Sequence, residues 1–477
     1  MSLAKQSFKG VTWTMLDIIF NKAIYFISTL ILARLLGPSE FGILGMITIF
    51  FTIGTTLVDS GLSISIVRTL SPNKIEYSTI FYLNIVFSTG AYFLMFFIAP
   101  YVADFYKQEI LTNLIRIYCI GFLINALKMV PQSILIKEMD FKKIAIFNIP
   151  GNIIGLVIGV LMALNDYKVW SIVGLFLSSQ LISSLVYIFF SKWKPSFYFS
   201  IKYVKRHLSF GYKLMLSAQL NTIFENIYNV LIGKYFTIQV LGYYDRAYTL
   251  NNYPTSILSL IVSKVSLPLF SNIQEDSLKF KQIYRKIQLF SFFLAAPVML
   301  GALVLAKPLI LVLMGNGWIE IVPFFQILCL AYVLFPIHTL NINILNAFGK
   351  SNTFLKIEIF KKIITVLFII IGLQFGIMGL VWSNVFGSIF SLIINTHFCG
   401  SLISYKSKNQ IFDLIPTLGI AIIMAVTVHL ASLYLIKFSS LTQLVSLTIL
   451  GVTSFIGLSY FTKNESLFTF LDFIKSN

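Results

Sequence analysis

Apolar runs of about twenty residues recur along the whole chain, each cut by a short polar or Gly/Pro-bearing break. A helix needs about 20 mostly apolar residues to cross the ~30 Å hydrocarbon core of a bilayer. The pattern predicts fourteen such spans: 12–33, 43–66, 79–101, 110–132, 144–164, 169–190, 209–235, 248–270, 287–306, 321–345, 359–376, 378–398, 411–436 and 441–461. The turn between the eleventh and twelfth is very tight and falls near Gly376. Composition agrees with this reading. The chain is 57% hydrophobic and only 11% charged, against roughly a quarter charged in a soluble protein. A soluble core is excluded, and the predicted fold class is all-α, a polytopic membrane protein.

Lys and Arg placement predicts orientation. With the N-terminus inside, and Lys213, Lys234, Lys361 and Lys362 counted with the segments they adjoin, the inner segments hold 25 of the 36 basic residues, the outer segments 7, and the spans 4. Both termini are therefore expected in the cytoplasm, in a cytoplasmic (inner) membrane. The net charge of +18 follows from this topology and does not call for a nucleic acid. Asp17, Asn21 and Lys22 interrupt the first apolar run, so it is read as a retained span and not a cleaved signal. The stretch 191–208 alternates basic and aromatic residues and reads as a helix on the inner membrane surface. In the tail, Leu467, Phe470, Leu471 and Ile474 follow helical spacing, a second interfacial helix. Cys119, Cys329 and Cys399 lie far apart inside apolar runs, and the four histidines are scattered. No metal site and no disulfide framework is expected.

The breaks repeat. "LARLLGPSEFG" (32–42) separates spans one and two, and "IGKYFTIQVLG" (232–242) separates spans seven and eight. Arg34 and Gly42 match Lys234 and Gly242 at a single offset of 200 residues. A second echo pairs "ILIKEMDFKK" (134–143) with "ILNAFGKSNTFLK" (344–356). The chain reads as a duplication in which spans one to six correspond to seven to twelve. An even number of spans per repeat makes the repeat parallel. The expected organisation is a six-helix bundle at 1–190, an interfacial linker at 191–208, a second six-helix bundle at 209–398, two further spans at 399–461 and an amphipathic tail at 462–477. Two such pseudo-symmetric bundles are expected to enclose a central cavity.

Four stretches, "LARLLGPSEFGILGM" (32–46), "VDSGLSISIVR" (58–68), "EMDFKK" (138–143) and "NVLIGKYFTIQVLGYYDRAY" (229–248), together resemble oligosaccharide flippases. These are the Wzx-type exporters of the multidrug/oligosaccharidyl-lipid/polysaccharide superfamily. Many relatives carry Arg in the second outer turn where this chain has Lys234, a cation without a guanidinium fork. The resemblance implies movement of a polyprenyl-pyrophosphate-linked oligosaccharide across the membrane by alternating access, for O-antigen, capsule or exopolysaccharide synthesis. It implies no enzyme activity and no cofactor, and leaves proton or sodium coupling open. Membrane lipids, a polysaccharide polymerase and a chain-length regulator are the other partners it suggests.

A charge within the bilayer is costly unless it faces a polar space, so the few such residues are the candidates. Lys22, Arg116 and Lys264, with Asn221 and Asn229, are candidate contacts for a phosphate or sugar. The alternative for the cations is an intramembrane ion pair or snorkelling to an interface, and Lys128 reads as a snorkelling anchor. Glu225, Asp59 and Asp17 are candidates for coupling or for polar pairing. Asp17 and Lys22 lie about 140° apart on a helix and do not share a face. Arg34 and Lys234 are candidate outer-gate residues, pairing with Glu40 or Asp245. Tyr243, Tyr244 and Tyr248 read either as sugar-stacking residues or as an interfacial belt.

Two other functions stay open on the sequence. A multidrug or metabolite cation antiporter of the same superfamily would have twelve spans and acids lining its path. A membrane glycosyltransferase or polymerase would need a long outer segment with paired acids, and every predicted outer loop is short.

Overall fold

The computed structural model describes residues 22–24, 26–59 and 61–469, and every regular element among them is a helix. Asp17, Phe470, Leu471 and Ile474 lie outside the described residues. The chain divides into two compact units, Met1–Gly242 and Tyr243–Asn477.

The first unit runs through α1 (26–35), α2 (Pro38–Asp59), α3 (Leu62–Arg68), α4 (Lys74–Tyr106), α5 (Ile110–Tyr118), α6 (Ile120–Lys137), α7 (Phe141–Leu164), α8 (Val169–Phe190) and α9 (Ile201–Tyr235). Helix α10 (Ile238–Ile273) passes from this unit into the second. There follow α11 (Ser277–Val304), α12 (Ala306–Leu313), a 3₁₀ turn (Asn316–Ile321), α13 (Val322–Tyr332), α14 (Phe335–Ala347), α15 (Ser351–Gln374), α16 (Gly376–Leu402), α17 (Ser407–Phe412), α18 (Ile415–Tyr434) and α19 (Ser440–Phe461).

Polar breaks become helix starts because their side chains occupy the unpaired amides of the first turn. Asn73 accepts from the Glu76 amide at 2.7 Å, Asp140 from Lys143 at 3.2 Å and Asp276 from Lys279 at 3.0 Å. The tight turn near Gly376 is present: α15 ends at Gln374, and Gly376 opens α16 with φ +70°. Small residues set the close helix pairs. Gly151, Gly155 and Gly159 line one face of α7, and a Cβ on Gly155 would come within 2.7 Å of the Leu175 carbonyl of α8. This is the small-residue packing that brings membrane helices together.

Eleven helical segments among the described residues are long and apolar enough to cross a membrane. They coincide with eleven of the fourteen expected spans. Of the other three, the seventh corresponds to α9 and the eleventh to α15, both richer in polar and charged residues. The first begins outside the described residues.

The interval 191–208 differs from expectation. Residues 191–200 are not helical, and helix begins only at Ile201, continuing to Tyr235 as one element. Pro195 disfavours helical geometry at Lys194. The amides of Ser196 and Ser200 donate to the Ser78 and Thr79 hydroxyls of α4 at 2.9 and 3.1 Å. Trp193 packs edge-on against Tyr77 and Phe81. The segment is an extended strap pinned to α4.

Candidate substrate-handling site

In the first unit the two echoing breaks meet. Helix α1 ends at residue 35 and α2 starts at Pro38; α9 ends at Tyr235 and α10 starts at Ile238. A Cβ on Gly42 would run into the carbonyl oxygen of Ile238 and lie 2.7 Å from its Cγ2. A Cβ on Gly242 would run into the carbonyl oxygen of Pro38 and lie 3.1 Å from the Gly42 nitrogen. Each glycine thus seats against the residue that opens the other's helix. At this point only a hydrogen fits.

Helix α9 follows α2 from this crossing. Gln219 donates to the Ile53 carbonyl at 2.8 Å, and the Thr56 and Thr222 hydroxyls are 3.4 Å apart. Farther along, Gly61 (φ +68°) interrupts the helix between α2 and α3, and a Cβ there would fall 2.9 Å from the Gly211 backbone. Asp59 sits at this interruption and accepts from the Ser63 amide at 3.4 Å. Beyond it, buried His207 bridges the Ser65 hydroxyl at 2.6 Å and the buried Glu76 carboxylate at 2.9 Å. Arg206 reaches the same carboxylate at 3.3 Å, and the Arg68 guanidinium stands over the Phe210 ring. This cluster joins α3, α4 and α9. It left no signal in the sequence because the carboxylate and the cations that reach it lie 130 or more residues apart.

The candidate residues separate by position. Asn221, Glu225 and Asn229 follow i, i+4 spacing and form one stripe of α9, with Asn221 and Glu225 exposed and Asn229 half-buried. Lys22 is helical and half-buried. Arg116 of α5 donates to the Phe96 carbonyl at 3.3 Å and stacks 4.1 Å from the Phe96 ring. Lys128 does not snorkel: its ammonium donates to the Gln180 side chain of α8 at 2.5 Å. Lys264 is half-buried on α10. Arg34 and Lys234 are both exposed. Lys234 donates to the Phe105 carbonyl at 2.7 Å and covers that ring at 4.1 Å. Glu40 accepts from the Gly37 amide, closing the turn. Asp245 pairs with neighbouring Arg246 at 2.6 Å, both buried.

In the second unit the tyrosines of α10 differ in exposure. Tyr244 is buried and Tyr243 and Tyr248 are half-buried. Tyr243 packs against Trp318 and Phe324, and Tyr248 stands edge-on to Tyr332 at 5.9 Å. A cluster elsewhere in this unit draws on three distant segments. Arg285 forks onto Asp413 at 2.7 Å and onto Glu465 at 2.8 Å, and Tyr405 donates to Asp413. Arg285 holds the Glu465 carboxyl below its ordinary value. Burial, with the bond to Asp413 adding, pushes the Tyr405 hydroxyl up. Arg285, Asp413 and Glu465 line a cavity of about 400 Å³ with Thr417, Lys463 and Ser466. Among the described residues no group of three His, Cys, Asp or Glu side chains could hold a metal ion.

Comparison with known proteins bears on what these features serve. The chain is 24% identical to the lipopolysaccharide biosynthesis protein WzxC of Escherichia coli strain K12 over 400 residues, 83% of this chain and 80% of that one. It is 26% identical to the succinoglycan biosynthesis transport protein ExoT of Rhizobium meliloti over 329 residues, 69% of this chain and 66% of that one. The lipid II flippase MurJ in an inward closed conformation superposes with a TM-score of 0.77 at 16% identity, over 94% of this chain and 99% of that one. An inward-facing multidrug resistance transporter of the MATE family superposes at 0.62 and 14% identity, over 83% and 99%. These superpositions establish a shared fold. The family model described as polysaccharide biosynthesis protein matches residues 31–323, and the chain belongs to that family.

Proposed function

We propose that this chain is a flippase that carries a polyprenyl-pyrophosphate-linked oligosaccharide across the cytoplasmic membrane by alternating access. Relatives named for lipopolysaccharide, teichuronic acid and succinoglycan biosynthesis support a role in surface-polymer synthesis. MurJ, named a lipid II flippase, supports a lipid-linked cargo. In this reading the chain is a transporter and performs no covalent chemistry.

The observation that carries the reading is the surroundings of Arg116 and Lys128, two cations within spans. Among the described residues, Arg116 is held by a carbonyl and a ring, and Lys128 by a neutral amide. A cation inside a span is tolerated when it pairs or faces a polar path. Cations with neutral neighbours suit an anionic head group and oppose an organic cation, which disfavours the drug-antiporter alternative. Proton or sodium coupling through Glu225 or Asp59 fits this scheme, as does delivery to a polymerase and chain-length regulator on the outer face.

The test is surface polysaccharide in a strain lacking the chain, complemented by wild type and by Lys22→Ala, Arg116→Ala and Glu225→Ala at matched membrane levels. Loss of polymer with lipid-linked units retained on the inner leaflet supports the flippase. Normal polymer with altered drug sensitivity would promote the antiporter.

A further inference from the structure

The second unit gathers aromatic and polar groups between helices long and apolar enough to cross a membrane. Tyr248 lies ten residues into α10, about 15 Å along the helix at 1.5 Å per residue. Tyr332 lies eleven residues past Ile321, where the neighbouring span begins, about 16 Å in. Tyr332 is near the middle of its apolar helical segment, and its ring contact places Tyr248 at the same level of the bundle. Their rings meet edge-on at 5.9 Å, and Tyr332 stacks on Phe335 at 5.8 Å and 23°. Buried Tyr244 backs the group, 6.3 Å from Tyr248.

This ledge does not face lipid on its α10 side. No residue from Tyr243 to Leu260 is exposed, whereas Ile261, Val265 and Leu267 are. Tyr248, Asn252, Tyr253 and Ser256 are half-buried within that sheltered stretch.

The span kinks beside these rings at a proline, with Val333 and Leu334 keeping right-handed helical angles. Helix α13 ends at Tyr332 and α14 begins at Phe335. Pro336 has no N–H to give the Tyr332 carbonyl, and the Ala331 carbonyl is taken by the Ser388 hydroxyl at 2.9 Å. A proline kink in a span is tolerated where neighbouring groups take up the carbonyls it frees, as Ser388 does here.

We infer that Tyr248, Tyr332 and Phe335, with the proline kink beside them, form a sugar-ring subsite within the second unit. The inference rests on the flippase reading and assigns a part of the cargo to particular residues. A pyranose has one face of C–H groups and a rim of hydroxyls. The C–H face stacks on a phenol ring, while the rim bonds to carbonyls and to an amide such as Asn252. The pyrophosphate makes no use of such a ledge, so the subsite reads the sugar and not the lipid anchor.

The test uses the full chain purified into lipid nanodiscs. Two probes are titrated: lipid-linked oligosaccharide extracted from cells lacking the chain, and the same polyprenyl pyrophosphate without sugar. Wild type is expected to prefer the glycosylated probe. Tyr332→Leu and Tyr248→Leu should each weaken that probe roughly fivefold, the scale of one aromatic contact, with the bare lipid unchanged. Tyr332→Phe should keep most of the preference, because the ring remains. Thermal melting of each variant reports folding separately. Equal loss for both probes, or no loss for either, would overturn the subsite while leaving the flippase standing. If wild type binds neither probe but takes up ethidium in a Tyr332-dependent manner, both readings fall and the ledge serves an organic cation.

Discussion

Gly42 seats against the carbonyl of Ile238, and 200 residues on Gly242 seats against the carbonyl of Pro38. Residue i touching j, and j's counterpart touching i's counterpart, is the signature of a two-fold relationship. Here it holds within one chain, between two turns that echo each other in sequence. Both helices approach so closely that backbone meets backbone.

The reciprocity makes Gly42→Ala and Gly242→Ala informative together. Each methyl would meet a carbonyl oxygen that cannot rotate away, so α2 and α10 must separate. Such overpacking costs about 1–3 kcal/mol. Each single variant should lower the melting temperature of the purified protein. One separation relieves both clashes, so the double variant should cost clearly less than the two singles combined. Additive losses would show that the two contacts yield independently.

Lys128 should separate stability from transport. Its ammonium is committed to Gln180 inside the bundle. Replacing a buried ion by an apolar side chain of similar volume is often neutral or stabilising. Lys128→Met should therefore melt no lower than wild type. If the cation meets the cargo's pyrophosphate, export should still fall about tenfold, the scale of a lost hydrogen bond to a charged group. Unchanged polymer yield would assign Lys128 to packing alone.

How much of this was legible in the sequence depends on the range of the physics. Burial in lipid is a local property, so apolar runs located the spans and even the turn at Gly376. Echoing turns were readable because Gly and a cation recur at a fixed offset. The strap at 191–200 was misread because alternating Lys and aromatic residues look amphipathic, while Pro195 and the bonds to Ser78 and Thr79 decide its conformation. Tyr248 was ambiguous because hydropathy reports depth poorly for a residue with both a ring and a hydroxyl. Arg285, Asp413 and Glu465 left no signal, being 128 and 180 residues apart.

That last cluster predicts a pH dependence. Arg285 holds the Glu465 carboxyl below its ordinary 4.5. A carboxyl depressed in the folded state stabilises it fully above the unfolded value, and the contribution disappears as pH falls through the folded one. Wild type should out-melt Glu465→Gln by a constant margin above about pH 5.5, and the margin should shrink to nothing as the pH drops below 4.5. A margin that survives at low pH would place the effect in packing and not in charge.

The candidate cations should rank by the surroundings they occupy. Lys234 and Arg34 are exposed, and Lys234 already has a carbonyl and a ring as partners. An exposed cation–ring contact is worth about 0.5–1 kcal/mol, so Arg34→Ala and Lys234→Ala should reduce polymer yield only a few-fold. Arg116 lies within a span, where an ion interacts more strongly with an arriving anion because less water screens it. Arg116→Ala and Lys22→Ala should reduce yield more than either exposed variant, at equal membrane abundance. Arg116→Lys adds a control: it keeps the charge but loses the planar guanidinium that stacks on Phe96. Partial activity for Arg116→Lys would mean that charge serves the cargo while stacking holds the side chain. The reverse ranking, with the exposed pair more damaging, would move the binding site to the turns at residues 34–42 and 234–242.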